Sequence, residues 1–193
     1  IFLNIIDRNI YFEKGPDIDL LKKVSSYGLS TPLTYSGGII NKSQALNVLR
    51  NGADRICVDY LVHQNPHEII NISKAIGKQS LVISLPLIFY KNQFFWYDYK
   101  NNIKKEIERF PYFVLDYVSE LLITDVNNEG QKNSFNSKII KFCKKRIKCG
   151  LIFFGGISET KQIKKIIKTF PGDSIAIGNM LNYKELASKI VKT

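Results

Sequence analysis

Apolar runs alternate with amphipathic segments along almost the whole chain. Short apolar runs bounded by turn residues, followed by segments with apolar positions at helical spacing, predict parallel strands separated by helices. The predicted strands are residues 1–6, 33–35, 56–60, 81–85, 121–126, 151–154 and 174–177. The predicted helices are residues 17–27, 42–51 with Asn41 as N-cap, 67–76, 112–118, 137–147, 160–168 and 184–191. Residues 88–99 predict an aromatic hairpin that turns at Lys91 and Asn92.

The chain repeats one stretch, residues 32–60, in weaker form as residues 150–179. In each copy an apolar run ends in Gly-Gly-Ile, a helical segment follows, and a second apolar run begins after Asp54 or Asp173. Glycines directly after a strand let the backbone approach a ligand closely, and the following helix N-terminus attracts anions. The repeat therefore favours phosphate binding over the alternative that the glycines only make tight strand-to-helix turns.

Strands that are apolar throughout and alternate with helices predict a parallel sheet covered on both faces. The two-fold repeat and the glycine turns favour a (β/α)8 TIM barrel over an open doubly wound sheet, which is the alternative. The chain begins without methionine, inside an apolar run. We therefore expect a single barrel domain over residues 1–193 that lacks its first strand and helix.

The composition is that of a globular protein, with 193 residues, 45% of them hydrophobic. We find no apolar run long enough to cross a membrane and no signal-peptide pattern at the start, so we expect a cytoplasmic protein without a membrane partner. Cys57, Cys143 and Cys149 lack metal-ligand spacing. They predict buried or unreactive thiols, and we expect neither a metal nor a cofactor.

A formal net charge of +11 raises the possibility of a nucleic-acid partner. Many of the lysines fall within residues 138–148 and 161–168, where they alternate with isoleucines at helical spacing. That pattern predicts the solvated faces of two amphipathic helices, so we do not expect nucleic acid to bind. His63 and His67 have no evident partner and are predicted to be surface residues.

Four sequence blocks resemble one family closely. They are PLTYSGGI, GADRICVDYLVHQNP and SELLITDVNNEGQKNSF followed by LIFFGGISE. These blocks are similar to the cyclase subunit of imidazole glycerol phosphate synthase, an enzyme of histidine biosynthesis, and the resemblance begins at that family's second strand. It implies a TIM barrel of the ribulose-phosphate-binding type and a lyase-type synthase. It also implies a heterodimer with a glutaminase (glutamine amidotransferase) subunit, an ammonia channel, and a substrate with two phosphates.

The resemblance implies two phosphate sites. One would use Ser36, Gly37 and Gly38 together with Asp59 and Tyr60, where the family usually has an amide and a hydroxyl. A carboxylate at position 59 repels phosphate, which weakens this assignment. The other site would use Gly155, Gly156, Gly178 and Asn179. It is the better candidate, although Phe154 replaces a small hydroxyl residue there.

The resemblance also implies a pair of catalytic carboxylates. The general base on the first strand is absent from this chain, and the general acid of the fifth strand falls at Pro86, which cannot transfer a proton. Glu129 stands where the family has an aspartate before a glycine, and Asp125 lies at the end of a predicted strand. These two are the candidate catalytic residues, with loop orientation as the alternative for Glu129.

Three charged residues match family positions at the opposite end of the barrel. Arg55 and Glu120 match residues that ring the ammonia entrance, and Asp54 matches an aspartate at the glutaminase contact. Opposite charges at a barrel mouth can pair and act as a gate. The alternative is that they are ordinary residues of turns before strands.

Three functions follow from the residues and the resemblance. The first is an ammonia-using synthase subunit for histidine biosynthesis. The second is a divergent paralogue that serves the amidation of a surface-polysaccharide sugar, which the changes at Pro86 and Asp59 favour over the first substrate. The third is a phosphate-binding barrel without catalysis.

Overall fold

A computed structural model describes residues 3–6 and 14–178 of the chain. Asn179 and the predicted helix 184–191 lie outside the described residues. The strands are β1 Leu3–Ile6, β2 Leu33–Ser36, β3 Arg55–Val58, β4 Leu81–Tyr90, β5 Gln93–Asp98, β6 Ile103–Glu106, β7 Glu120–Asp125, β8 Gly150–Phe154 and β9 Ser174–Ile175. The α-helices are α1 Ile18–Ser25, α2 Lys42–Arg50, α3 Tyr60–Gln64, α4 Glu68–Ile76, α5 Ser137–Arg146 and α6 Thr160–Thr169.

The chain divides into two compact units. The first contains Ile1–Ser84, Asp98–Asn102 and Phe110–Glu120, and the second contains Leu85–Tyr97, Ile103–Arg109 and Leu121–Thr193. The first copy of the sequence repeat lies in the first unit and the second copy in the second unit. Strand β4 contributes its first residues to one unit and its last residues to the other. The expectation of one barrel domain over residues 1–193 stays a prediction.

The first unit is a parallel sheet with the strand order β1-β2-β3-β4. In its register Tyr35 lies beside Ile56, and Val58 lies beside Ile83. Apolar side chains from strands and helices form its buried core, among them Leu21, Tyr35, Val48, Ile56, Ile69, Leu81 and Ile83. This alternation of buried parallel strands with helices confirms the predicted (β/α) architecture.

The second unit combines the strands β7-β8-β9 with a hairpin. Strands β8 and β9 are parallel, whereas β4 pairs with β5 in antiparallel register from Leu87 beside Trp96 onwards. The hairpin turns at Lys91 and Asn92, with φ angles of 46° and 64°, as the sequence predicted. Positive φ at both turn residues matches the twist of the flanking strands.

Predictions that depend on a few neighbouring residues were confirmed. Asn41 caps α2, because its side-chain oxygen accepts a hydrogen bond from the Gln44 N–H at 2.9 Å. Among the described residues no helix is long and apolar enough to span a membrane. The lysines of α5 and α6 are exposed while Ile139, Ile140 and Ile166 are buried, as expected for amphipathic helices.

Two predicted elements were wrong in extent or type, and two short elements were not predicted. Strand β3 ends at Val58, and residues 59–60 leave the strand for the short helix α3, which was not predicted. The predicted helix 112–118 is a 3-10 helix, Tyr112–Tyr117. Strand β6 was missed because its sequence IKKE has a single apolar residue and no alternating pattern.

Candidate functional site

The first glycine turn follows β2 in the first unit. Gly37 and Gly38 have φ angles of 142° and 63°. A Cβ at Gly38 would lie 2.5 Å from the carbonyl oxygen of Gly15, so this position must be glycine for packing alone. The close packing accounts for Gly38 without a ligand, and the predicted role of Ser36, Gly37 and Gly38 in binding phosphate stays a prediction.

The N-terminus of α2, next to this turn, already has hydrogen-bond acceptors. The Lys42 N–H donates to Glu68 Oε1 at 3.0 Å, and the Gln44 N–H donates to the cap Asn41. Gln44 in turn accepts from the Ile40 N–H at 2.9 Å. A phosphate at this helix end would have to displace side-chain oxygens, which weakens the anion-binding argument for the first turn.

Asp59 and Tyr60 follow β3 and stand beside a buried histidine. Asp59 Oδ2 accepts a hydrogen bond from Ser84 Oγ at 3.5 Å, and the Lys100 ammonium lies 4.2 Å from the centre of the Tyr60 ring. The His63 side chain, in α3, is only 2% exposed. The surface prediction for His63 was therefore wrong, because Asp59 and the sequence-distant Asp98 surround it.

His67 does lie at the surface, as predicted. It precedes α4, and its ring stacks on Phe113 with a centroid separation of 5.0 Å. The two histidines of the chain therefore differ sharply in environment, although they lie close together in the sequence. His63 is the functional candidate that the sequence analysis missed. A histidine on the apolar face of a short helix was its only local signal.

The second glycine turn follows β8 in the second unit. Gly155 and Gly156 have φ angles of 97° and 70°. A Cβ at Gly156 would lie 2.6 Å from Ser134 Oγ, so the turn packs directly against the loop that follows β7. The Gly156 carbonyl oxygen accepts hydrogen bonds from Ser134 and Phe135 N–H groups at 2.9 and 3.3 Å. A Cβ at Gly178 would lie 3.3 Å from the Phe154 ring.

Asp125 and Glu129 belong to this same loop region. Asp125, the last residue of β7, is fully buried, and its Oδ2 accepts from Asn128 Nδ2 and the Asn136 N–H, both at 2.8 Å. Its Oδ1 has no hydrogen-bond partner within the described part of the chain. Glu129 is half-buried in the turn. Asp125 thus holds the loop after β7, and its catalytic role stays a prediction.

The opposite edge of the first unit carries the predicted gate residues. Arg55, the first residue of β3, forms an ion pair with Glu120, the first residue of β7, and also donates to Ser119 Oγ at 2.8 Å. The Arg55 and Glu120 side chains are 11% and 24% exposed. Asp54 instead accepts from the Leu33 N–H at 2.7 Å and so fixes the start of β2. The structure brings Arg55 and Glu120 together and gives Asp54 a local structural contact.

Two of the three thiols are buried, as expected. Burial raises the pKa of Cys57 from the usual 9.0 to about 12, helped by the nearby Asp59. Burial also raises the pKa of Cys143 to about 12, with a smaller contribution from Asp173. Cys149 is half-buried. Within residues 3–6 and 14–178 no group of three His, Cys, Asp or Glu side chains could hold a metal ion.

Comparison with known proteins gives consistent matches. A model of the family described as "Histidine biosynthesis protein" matches residues 8–187. The chain is 24% identical over 181 residues to "Imidazole glycerol phosphate synthase subunit HisF" of Bacillus pumilus, covering 91% of this chain and 71% of that protein. It is 25% identical over 186 residues to the protein of the same name from Clostridium botulinum strain Okra, with the same coverage.

A further relative carries a related name. The chain is 25% identical over 171 residues to "Putative imidazole glycerol phosphate synthase subunit hisF2" of Vibrio vulnificus. That match covers 84% of this chain and 60% of the relative. The matches therefore run through both glycine turns and both compact units.

Proposed function

Because the chain belongs to the histidine biosynthesis protein family, as a divergent relative of HisF with a partial (β/α) TIM barrel, we propose that it is a cyclase-type synthase subunit. In this proposal it is a lyase-class enzyme that uses ammonia from a glutaminase partner in a heterodimer. Its substrate is a phosphorylated small molecule, and its setting is the cytoplasm. Histidine biosynthesis is the first candidate pathway.

The observation that carries the proposal is the Arg55–Glu120 ion pair. Both residues stand at strand starts, and Ser119 accepts from the same guanidinium group. A largely shielded ion pair is costly to break unless its charges gain other hydrogen bonds, and a docked partner can supply them. We propose that this pair gates ammonia entry and that Asp54, beside it in sequence, contacts the glutaminase.

The second glycine turn is the proposed phosphate site. Gly155, Gly156, Gly178 and Asn179 would provide backbone and amide donors, whereas Gly37 and Gly38 form the weaker candidate. Asp125 and Glu129 would exchange protons with the substrate. Asp125 Oδ1 supports this assignment, because it is a buried acceptor without a hydrogen-bond partner among the described residues.

A second candidate function is the amidation of a surface-polysaccharide sugar. Two departures from the family pattern favour it: Pro86 replaces the catalytic acid, and Asp59 introduces a carboxylate where phosphate binds in the family. Asp59 is moreover accompanied by a second carboxylate, Asp98, across His63. A site with this charge suits a substrate other than one with two phosphates.

The test is calorimetric titration of the full chain with a glutaminase subunit from the same organism, followed by glutamine hydrolysis by the mixture. We expect tight binding and stimulated hydrolysis. The Arg55→Ala/Glu120→Ala double variant should lose the stimulation. The matched control is Glu106→Ala/Arg109→Ala, which removes an ion pair whose side chains are 67% and 74% exposed.

The outcomes separate the candidates. Absence of both binding and stimulation would refute the ammonia-using subunit and leave a phosphate-binding barrel without catalysis. Stimulation together with turnover of the imidazole glycerol phosphate synthase substrate supports the histidine pathway. Stimulation without that turnover supports the second candidate. Inorganic phosphate binding that weakens in Asn179→Ala would support the proposed phosphate site.

A further inference from the structure

Asp59, His63 and Asp98 form a cluster of titratable side chains in the first unit, in which His63 and Asp98 are buried. His63 Nε2 lies 3.9 Å from Asp59 Oδ1, and His63 Nδ1 lies 3.7 Å from Asp98 Oδ2. We propose that this cluster is a proton-relay site that acts on a hydroxyl, carbonyl or amine group of a bound ligand. The relay is an addition to the proposed function, and only the identity of the reaction rests on that function.

Burial changes steeply across the cluster. The Asp98 and His63 side chains are 1% and 2% exposed, whereas the Asp59 side chain is 30% exposed. Asp59 directly follows β3, at the carboxyl end of a parallel strand, which is where (β/α) barrels carry their active sites. Asp59 is therefore the member that touches the ligand, and His63 and Asp98 are positioning residues behind it.

Asp98 is held in place as an acceptor. Its Oδ1 accepts from the Asn101 N–H at 3.1 Å, and its Oδ2 accepts from Asn101 Nδ2 at 2.9 Å. A carboxylate taken out of water needs a counter-charge as well as hydrogen bonds. The His63 imidazole, 3.7 Å from Asp98 Oδ2, supplies such a charge whenever it is protonated. It also faces Asp59, so one imidazole connects a fully buried carboxylate with a partly exposed one.

The proton path is short and balanced. Ionised Asp59 accepts a proton from a hydroxyl or amine group of the ligand and passes it to Nε2 of a neutral His63. The imidazolium that forms lies between the two carboxylates and returns the proton to the ligand or to solvent when the product leaves, while Asp98 stays ionised throughout. The 3.9 Å separation of His63 and Asp59 must shorten by about 1 Å for transfer, as catalytic hydrogen bonds commonly do when a ligand binds.

Other polar groups around the cluster are consistent with this path. Ser84 donates to Asp59 Oδ2, and the buried Cys57 thiol, whose pKa is raised to about 12, stays protonated. The Lys100 ammonium lies over the Tyr60 ring. Helix α4 packs against α3 and carries two charged residues, Glu68 and Lys74. Glu68 accepts hydrogen bonds from the Lys42 N–H and from Asn71 Nδ2, and Lys74 is exposed.

The charges also define the class of ligand. Two carboxylates around one imidazole leave the cluster negative whether or not His63 is protonated, so a phosphate dianion is repelled. A hydroxyl or amine donates to Asp59, and a carbonyl accepts from its protonated form. This ligand class differs from the phosphate that is proposed to bind at the glycine turn after β8.

The first test is a pH titration of the imidazole groups by NMR, from pH 5 to 9, on the ¹⁵N-labelled full chain. The chain has two histidines, so His67→Asn assigns His63 directly. We expect His63 to change protonation in this range, with a titration midpoint that falls in Asp59→Asn and in Asp98→Asn. If His63 keeps one protonation state throughout this range, the three residues form only a structural ion cluster, and the relay is overturned.

Ligand class is tested in the same spectra with inorganic phosphate as the probe. We expect millimolar phosphate to leave the His63 signals unmoved. A saturable shift of these signals would overturn the assignment of ligand class. Circular dichroism of each variant checks that the chain remains folded.

The second test measures turnover of the imidazole glycerol phosphate synthase substrate with ammonium chloride as the nitrogen source. His63→Asn should lower the rate about 100-fold and remove one limb of the pH–rate profile. His67→Asn should match the wild type, and equal rates for the two variants would overturn the relay. If the wild type shows no turnover, the histidine-pathway function fails, and the NMR titration alone decides the relay.

Discussion

Gly155 lies so close to Asp125 that a Cβ on Gly155 would be 2.7 Å from the Asp125 carbonyl oxygen. The contact joins the glycine turn after β8 to the end of β7, and so it fixes the proposed phosphate donors relative to a buried carboxylate. Gly155 also has a φ angle of 97°, which side chains rarely adopt. Two independent physical reasons therefore require glycine here.

We predict that Gly155→Ala lowers the free energy of unfolding by about 2 to 4 kcal/mol, because a clash with backbone adds to the strain of a positive φ. Gly172→Ala is the matched control. Gly172 has a φ angle of 93°, but a Cβ there would meet nothing within 4 Å, so strain alone should cost about 1 to 2 kcal/mol. Urea denaturation of both variants measures the difference, and equal losses would contradict the close contact.

The Arg55–Glu120 pair should contribute measurable coupling, because both side chains are largely shielded from water. A double-mutant cycle with Arg55→Met and Glu120→Gln should give a coupling free energy of about 1 to 2 kcal/mol in urea denaturation. The exposed Arg109–Glu106 pair provides the comparison, with an expected coupling below about 0.5 kcal/mol. Equal coupling in the two cycles would show that shielding does not strengthen the first pair.

The two buried thiols should make stability fall at high pH. In the unfolded chain a thiol ionises near its usual pKa of 9.0, whereas the native Cys57 and Cys143 stay protonated up to about pH 12. The unfolded state therefore binds fewer protons than the native state between pH 9 and 12, and the free energy of unfolding falls as pH rises through that window. Each thiol contributes a slope of about 1.4 kcal/mol per pH unit.

Thermal or urea unfolding between pH 8 and 11 measures this slope. Cys57→Ala and Cys143→Ala should each flatten it, because each removes one buried thiol with a raised pKa. Comparing each variant with the parent cancels the titration of lysines and tyrosines. If the slope persists in the Cys57→Ala/Cys143→Ala double variant, groups other than these thiols cause it.

The hairpin turn between β4 and β5 should gain from glycine. Asn92 has a φ angle of 64°, and glycine adopts this conformation without a side-chain penalty. Asn92→Gly should raise the free energy of unfolding by about 0.5 kcal/mol, while Asn92→Ala should lower it by about 1 kcal/mol. Changes of the same sign in the two variants, measured by urea denaturation, would argue against a turn with positive φ.

Much of the fold was predictable because its determinants are local. The N-cap Asn41, the amphipathic lysine-rich helices and the turn at Lys91 and Asn92 each depend on a few neighbouring residues. The apolar strands can likewise be predicted from their composition. Strand β6 cannot, because pairing with β5 rather than burial of its own side chains defines it.

The candidate site was less predictable because its contacts join distant parts of the sequence. The burial of His63 depends on Asp98, and the occupation of the α2 N-terminus depends on Glu68. Neither contact has a local signal. The pairing of Arg55 with Glu120 was expected only through family resemblance, and the chain alone gave no means of deriving it.

Pro86 separates two kinds of strand pairing along β4. Residues up to Ile83 pair in parallel with β3, and residues from Leu87 pair antiparallel with β5, while proline between them offers no N–H to either ladder. Insertions or deletions beyond Leu87 can therefore change the hairpin without shifting the register between β3 and β4. The hairpin is thus the part of this sheet that can vary in length at the least cost to the parallel strands.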